Sequence, residues 1–246
     1  MTQSRRPDLS MGESGVVPRG SNLAPGPPSL DDVLESAARL QQVVPGAVLV
    51  GGSAAAHHAR HRLSLDHDHV LSDLKSRFDT VLDNLEAMGD WSTARVGHGK
   101  IILGSLGDIE TGVRQMIRER PLETERVEVR GRSLVVPTEP ETLRIKAWLA
   151  VQRNQTRDYL DIAALADHMG IPKASAVLDD IDEFYADRVG SGSIVTQLVR
   201  QLADPRPRDA AVITQLSTYK QLDSRWHDWK AVRTVLTDLA QQVVTP

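Results

Sequence analysis

The chain has 246 residues, 40% of them hydrophobic and 25% charged, with a formal net charge of −4 and no cysteine. That length suffices for one large domain or two small ones, and the lack of cysteine excludes disulfides, thiolate metal sites and thiol nucleophiles, as in a reducing cytoplasm. No apolar run approaches the roughly 20 residues that span a bilayer, Arg5 and Arg6 lead into no apolar segment, and a nucleic-acid partner would need a local basic patch.

Residues 1–28 are rich in Pro, Gly, Ser and Arg and read as a disordered tail, with Val17-Pro18-Arg19-Gly20-Ser21 resembling a protease-cleavage linker. Ser29 and Asp32 form a capping box ahead of a helix whose apolar positions are Leu30, Val33, Leu34, Ala37, Ala38 and Leu40. Pro45-Gly46 ends it, and Ala47 to Val50 reads as a short buried strand running into Gly51-Gly52-Ser53 and an Ala- and His-rich helix. Leu65 to Leu71 is a second strand, and Leu74 to Met88 a helix closed by Gly89. Ile101 to Leu103 and Asp108 to Val113 are further strands, and Val127 to Val136 a hairpin turning at Gly131. The pattern changes at Pro137. Thr138 and Glu141 form another capping box, followed by helices to about Arg153 and over 157–169. Helical stretches over 174–188, 194–202, 208–219 and 226–243 complete the chain. Three of the four tryptophans follow residue 140, which suggests a separate core there. The expectation is an α+β fold: a mixed sheet with flanking helices over 29–137, then a helical domain over 138–246.

Gly51-Gly52-Ser53 falls at a strand-to-helix turn, where two glycines let backbone approach a phosphate and the helix start offers free N–H groups. Ser64-Leu65-Asp66-His67-Asp68 places both carboxylates on one strand face and the histidines on the other. Two like charges on a buried face repel, and a divalent cation removes that penalty. Asp108 and Glu110 share a strand face too, and either would serve as a third carboxylate taking a proton from an attacking hydroxyl. The plain alternatives are an ordinary turn and solvated strand acids. His57 and His61 have the i, i+4 spacing of helical zinc pairs, without the intervening Glu of a metalloprotease.

Together, Gly51-Gly52-Ser53-Ala54 and Arg62-Leu63-Ser64-Leu65-Asp66-His67-Asp68 resemble the signature of the nucleotidyltransferase superfamily, and more narrowly the AbiEii-type nucleotidyltransferase toxins of type IV toxin–antitoxin pairs. The family often carries an apolar or aromatic residue where His67 and His69 stand here. Lys146, seven residues before Arg153 on one helical stripe, and the segment Arg157-Asp158-Tyr159-Leu160-Asp161 resemble that family's later motifs. The resemblance covers about residues 45–170. It implies magnesium held by Asp66 and Asp68, and an NTP cradled by Gly51, Gly52, Ser53 and Ser64. It further implies that Lys146 neutralises phosphate, with Asp158 positioning Lys146 or the acceptor. The implied reaction moves an NMP to an acceptor hydroxyl, with tRNA or another RNA end as acceptor and a cognate antitoxin as partner. The other readings are a non-catalytic nucleotide- or protein-binding member of the fold and an aminoglycoside-type small-molecule nucleotidyltransferase. Trp226 and Trp229, with Lys220, Arg225, Lys230 and Arg233, read either as an RNA surface or as helix packing.

Overall fold

A computed structural model describes residues 27–188 and 192–244. Most of the tail expected over 1–28, including the linker-like stretch, lies outside the described residues. The first half contains α1 (Leu30–Val43), β1 (Val48–Val50), α2 (Gly51–Ala59), β2 (His67–Leu71) and α3 (Leu74–Glu86). It continues through β3 (Trp91–Gly97), β4 (Ile101–Leu106), β5 (Ile109–Gln115), β6 (Thr124–Val129) and β7 (Arg132–Pro137). The second half is helical: α4 (Glu139–Arg153), α5 (Thr156–Met169), α6 (Ile171–Asp179), α7 (Ile181–Phe184), α8 (Ile194–Ala203) and α9 (Trp229–Val244), with 3₁₀ stretches between. The expected α+β architecture, a mixed sheet with flanking helices and then helices alone, is what the chain adopts.

The main sheet runs β1-β2-β5-β4-β3, and β6 and β7 form a separate hairpin. β2 pairs antiparallel with β1 and parallel with β5, with Asp68 opposite Val50 on one side and Gly112 on the other. Alternation along β2 buries His67, His69 and Leu71 and leaves Asp68 and Val70 half-exposed. The buried face lies under α1, where His67 Nε2 meets Ser36 Oγ at 3.0 Å and its Nδ1 meets Thr111 Oγ1 of β5 at 2.8 Å. Burial pushes His67 down to about 3 and His69 well below the ordinary imidazole value, so both are neutral there.

The capping box at Ser29 closes as expected, the Ser29 side chain accepting from Asp32 N and the Asp32 carboxylate from Ser29 N. The second box is half made: Thr138 accepts from Glu141 N, but the fully buried Glu141 side chain turns to Arg118 and Arg144 instead. β3 is unexpected. As an edge strand almost wholly exposed, it carries no alternating apolar pattern to read. The helix expected over 174–188 breaks after Asp179; Asp182 is thereby free to accept from Ile194 N (2.6 Å) and Val195 N (3.1 Å) at the start of α8. The stretch expected as a helix near 208–219 is 3₁₀ over Ala210–Thr218, where Val212, Ile213 and Thr214 disfavour the α form.

Three apolar clusters form the interior. One lies among the C-terminal helices and includes Trp148, Trp226 and Tyr159. The other two lie on the sheet half, around Leu74 and Phe78 and around Leu34 and Leu49. α2 joins the halves, with Ala54 in the cluster around Leu34 and Ala55 in the helical one. Trp226 is buried and Trp229 stands edge-on to Tyr159 at 6.3 Å, so both serve helix packing. No described helix is long and apolar enough to cross a membrane.

Candidate functional site

β1 delivers the chain to Gly51, whose φ of +79° is a left-handed conformation that glycine adopts without strain. A Cβ there would lie 3.7 Å from Asp68 Oδ2, so the start of α2 sits beside that carboxylate. A Cβ on Gly52 would strike Ser64 Oγ at 2.6 Å and Arg62 Nη2 at 2.8 Å. The second glycine is therefore required by close approach of the Arg62–Asp68 segment rather than by backbone conformation.

Ser53 takes a different role from the one expected. Its side chain is fully buried, and its hydroxyl donates to the Asp66 carbonyl. It ties the helix start to the acidic strand instead of facing open space. Ser64 Oγ donates to Asp66 Oδ1 at 3.0 Å, which orients that carboxylate.

These residues open onto a cavity of about 1070 Å³, its mouth included. Gly51, Gly52, Ser64, Asp66, Asp68 and Lys146 all line it, brought together from β1–α2, β2 and α4. Asp108, Glu110 and Asp158 do not. Asp108 sits exposed in the turn between β4 and β5, and Glu110 is exposed opposite Ser105. Gly112 stands opposite Asp68 on β5, with Glu110 and Arg114 two residues to either side on the same strand face. Arg114 Nε lies 3.5 Å from Asp68 Oδ1.

Charge is concentrated in this cavity. Arg62, Lys146, Arg153 and Arg157 line it together with Arg114, Arg118 and Lys220, against only Asp66 and Asp68 as acids, in a chain whose net charge is −4. Behind them stands Asp161, fully buried. Its Oδ1 takes Arg62 Nε at 2.8 Å and His61 Nε2 at 2.7 Å, and its Oδ2 takes Arg62 Nη2 at 3.0 Å and Lys146 Nζ at 2.7 Å. Burial alone would raise this carboxyl, but the Arg62 and Lys146 charges outweigh it and hold Asp161 well below the usual range. Burial holds His61 below its ordinary value, so it is the neutral partner. His61 is thus committed to Asp161 rather than to a zinc pair with His57.

Asp158, one turn earlier, meets Arg153 Nη2 at 3.3 Å, and burial raises its carboxyl. The ion pair to Lys146 comes from Asp161. The same-face spacing of the two acids was legible, but which of them held Lys146 was not. Arg62 and Arg153 stand in the motif stretches without an assigned role, and Arg114 lies outside them. Much of the remaining lining is apolar, with Met116, Ile117, Leu122, Ile145 and Leu149, and Trp148 stacked on Tyr185 at 4.6 Å and 8°.

Two oxygen-ligand carboxylates beside a phosphate-approachable helix start suit magnesium, which takes few protein carboxylates and completes its shell with water and phosphate. Among the described residues no cluster of three or more His, Cys, Asp or Glu residues is disposed to hold a metal by itself.

No protein-family model matches the chain. Among curated proteins it is similar to the heme uptake protein MmpL11 of Mycobacterium tuberculosis, 31% identical over 231 residues, covering 82% of this chain and 22% of that one. The mycolic acid-containing lipids exporter MmpL11 of Mycolicibacterium smegmatis is 44% identical over 94 residues, covering 37% of this chain and 10% of that protein. The chain thus spans about a fifth (22%) of the length of the M. tuberculosis relative. Among solved structures it is similar to one from H. pylori assigned to the nucleotidyltransferases, with TM-score 0.48 and 14% identity over 87% of this chain and 92% of that one. The antibiotic-resistance factor ANT(2'')-Ia gives TM-score 0.47 and 12% identity over 64% of this chain and 93% of that one. At these scores neither structure adds weight to a functional assignment, which rests on the cavity's own residues.

Proposed function

We propose that the chain is a magnesium-dependent nucleotidyltransferase of the AbiEii type, moving an NMP from an NTP to an acceptor hydroxyl. The observation that carries the proposal is the meeting, in one cavity, of the Gly51-Gly52 helix start, the Asp66/Asp68 pair and a cationic wall anchored on Asp161.

Asp66 and Asp68 would hold the cation, which would supply charge stabilisation on the phosphates during transfer. Gly51 and Gly52 let phosphate come against backbone N–H groups at the start of α2. Lys146 and Arg62 face the same space with their positions set by Asp161, so they meet the triphosphate without reorganising. The acceptor oxygen bonds to the α-phosphorus as the bond from that phosphorus to its bridging oxygen breaks. Pyrophosphate leaves, and the acceptor's proton passes to solvent. The cationic lining favours a polyanionic acceptor, which supports an RNA end, tRNA among them, over an aminoglycoside. The toxin role, a cognate antitoxin and a cytoplasmic setting follow from the AbiEii resemblance.

The test incubates protein with each α-labelled NTP, magnesium and total tRNA. Label should appear in RNA, and Asp68→Asn should abolish it. Label on an aminoglycoside alone would redirect the acceptor, and no transfer to any acceptor would refute the enzyme.

The mycobacterial relatives favour a second reading, a non-catalytic nucleotide-binding module that serves a membrane transport protein. NTP binding without label transfer, unchanged by Asp68→Asn, would select it.

A further inference from the structure

The C-terminal part of the chain supplies the cavity with a cation that lies outside the Gly51–Asp68 and Lys146–Asp161 motifs. Lys220 follows the 3₁₀ stretch Ala210–Thr218 and lies far along the chain from Asp68. Its φ is 44°, and that of Gln221 is 50°. Side chains seldom occupy this left-handed region, and two in succession persist only where the surroundings hold them. The holding contacts are explicit. Leu63 N donates to the Lys220 carbonyl at 2.9 Å, and Asp223 N donates to the His61 carbonyl at 2.7 Å. The loop is thereby stitched to the segment that leads into Ser64, Asp66 and Asp68.

The consequence is that Lys220 lines the same cavity as Arg157, which α5 contributes. These two differ from the other cations there. Arg62 and Lys146 are answered by Asp161, Arg153 by Asp158, Arg118 by Glu141 and Arg114 by Asp68. Among the described residues no carboxylate stands within ion-pairing distance of Arg157 or Lys220, and the buried Arg157 Nε has no hydrogen-bond partner. A cation held in place by strained backbone, half-buried and unanswered, is a site prepared for an anion.

We infer that Lys220 and Arg157 form a phosphate-binding pair, completed by the C-terminal loop, that grips either the nucleotide's triphosphate or the backbone phosphate of an RNA acceptor. The inference rests on the nucleotidyl-transfer reading of the cavity, and the test separates the two. Inorganic tripolyphosphate, Mg-ATP and a short single-stranded RNA are titrated calorimetrically into the full chain. Lys220→Gln should weaken tripolyphosphate and Mg-ATP about tenfold if the pair holds the triphosphate. It should instead weaken the RNA about tenfold, and lower its salt slope by about one charge, if the pair holds the acceptor. Lys220→Arg should restore binding. Lys220→Gly relieves the backbone, so the Tm should rise by about 1–3 °C while binding falls. Gln221→Gly should raise the Tm in the same way and leave binding intact. A merely structural Lys220 would show the converse, a lower Tm with unchanged binding. Unchanged affinity for all three probes in Lys220→Gln overturns the pair alone. Failure of the unaltered protein to bind any of them overturns the pair and the transfer reading together.

Discussion

Asp161→Asn removes one negative charge from a place where Arg62, Lys146 and His61 converge, while keeping the side chain's shape. The carboxylate is fully buried, and the Arg62 and Lys146 side chains are each only 3% exposed. Two largely buried cations would lose the carboxylate that pairs with both, a loss that typically costs about 3–5 kcal/mol. For a chain of this size 1 kcal/mol corresponds to about 2–4 °C in Tm, so the melting point should fall by about 6–20 °C. The pH dependence gives a second check. The folded pKa of Asp161 lies below its unfolded value, so its stabilisation is complete above about pH 4 and is lost only as pH falls through the folded pKa. Thermal melts followed by circular dichroism at pH 6, 7 and 8 should therefore show a constant difference between the two proteins. A drop of less than about 2 °C would refute the claim that this carboxylate anchors the cationic wall.

Lys146→Ala leaves Asp161 its bidentate Arg62, so its stability loss should be smaller than that of Asp161→Asn while NTP binding measured by calorimetry disappears. Gly52→Ala puts a methyl 2.6 Å from Ser64 Oγ; it should disorder the approach to Asp66 and abolish Mg-ATP binding, and a variant that still binds would contradict the role given to that contact. His67 and His69 are buried neutral, with His67 near 3, whereas the unfolded chain protonates them near 6.5. The unfolded state therefore takes up protons on these two histidines first, and they alone should contribute a stability loss of about 2.7 kcal/mol per pH unit to urea melts between roughly pH 6 and 4, with His57 and His61 adding to it. His69→Phe should lower the slope by about 1.4 kcal/mol per pH unit.

How much of this was legible beforehand depended on range. Period-2 alternation placed Asp68 on the face opposite His67 and His69, and β2, which starts at His67, is built that way; Asp66 precedes the strand and lines the same cavity as Asp68. Helical spacing placed Lys146 and Arg153 on one stripe, and both line the cavity. The exposed strand Trp91–Gly97 left no signal, because an edge strand with little burial has no apolar rhythm. Ser53 looked like a phosphate ligand by adjacency, yet its hydroxyl is taken by the Asp66 carbonyl across the turn.

Local sequence thus determined most of the elements, the turn at Gly51-Gly52 and the facing of Asp68 away from His67 and His69, because those depend on residues a few positions apart. Tertiary structure decided the partners. It chose Asp161 over Asp158 for Lys146, set Arg114 within reach of Asp68, and brought Lys220 in from the C-terminal region. Each of these is a contact between side chains far apart in the chain. Strand register and helix packing place them, and no periodicity in the sequence carries that information.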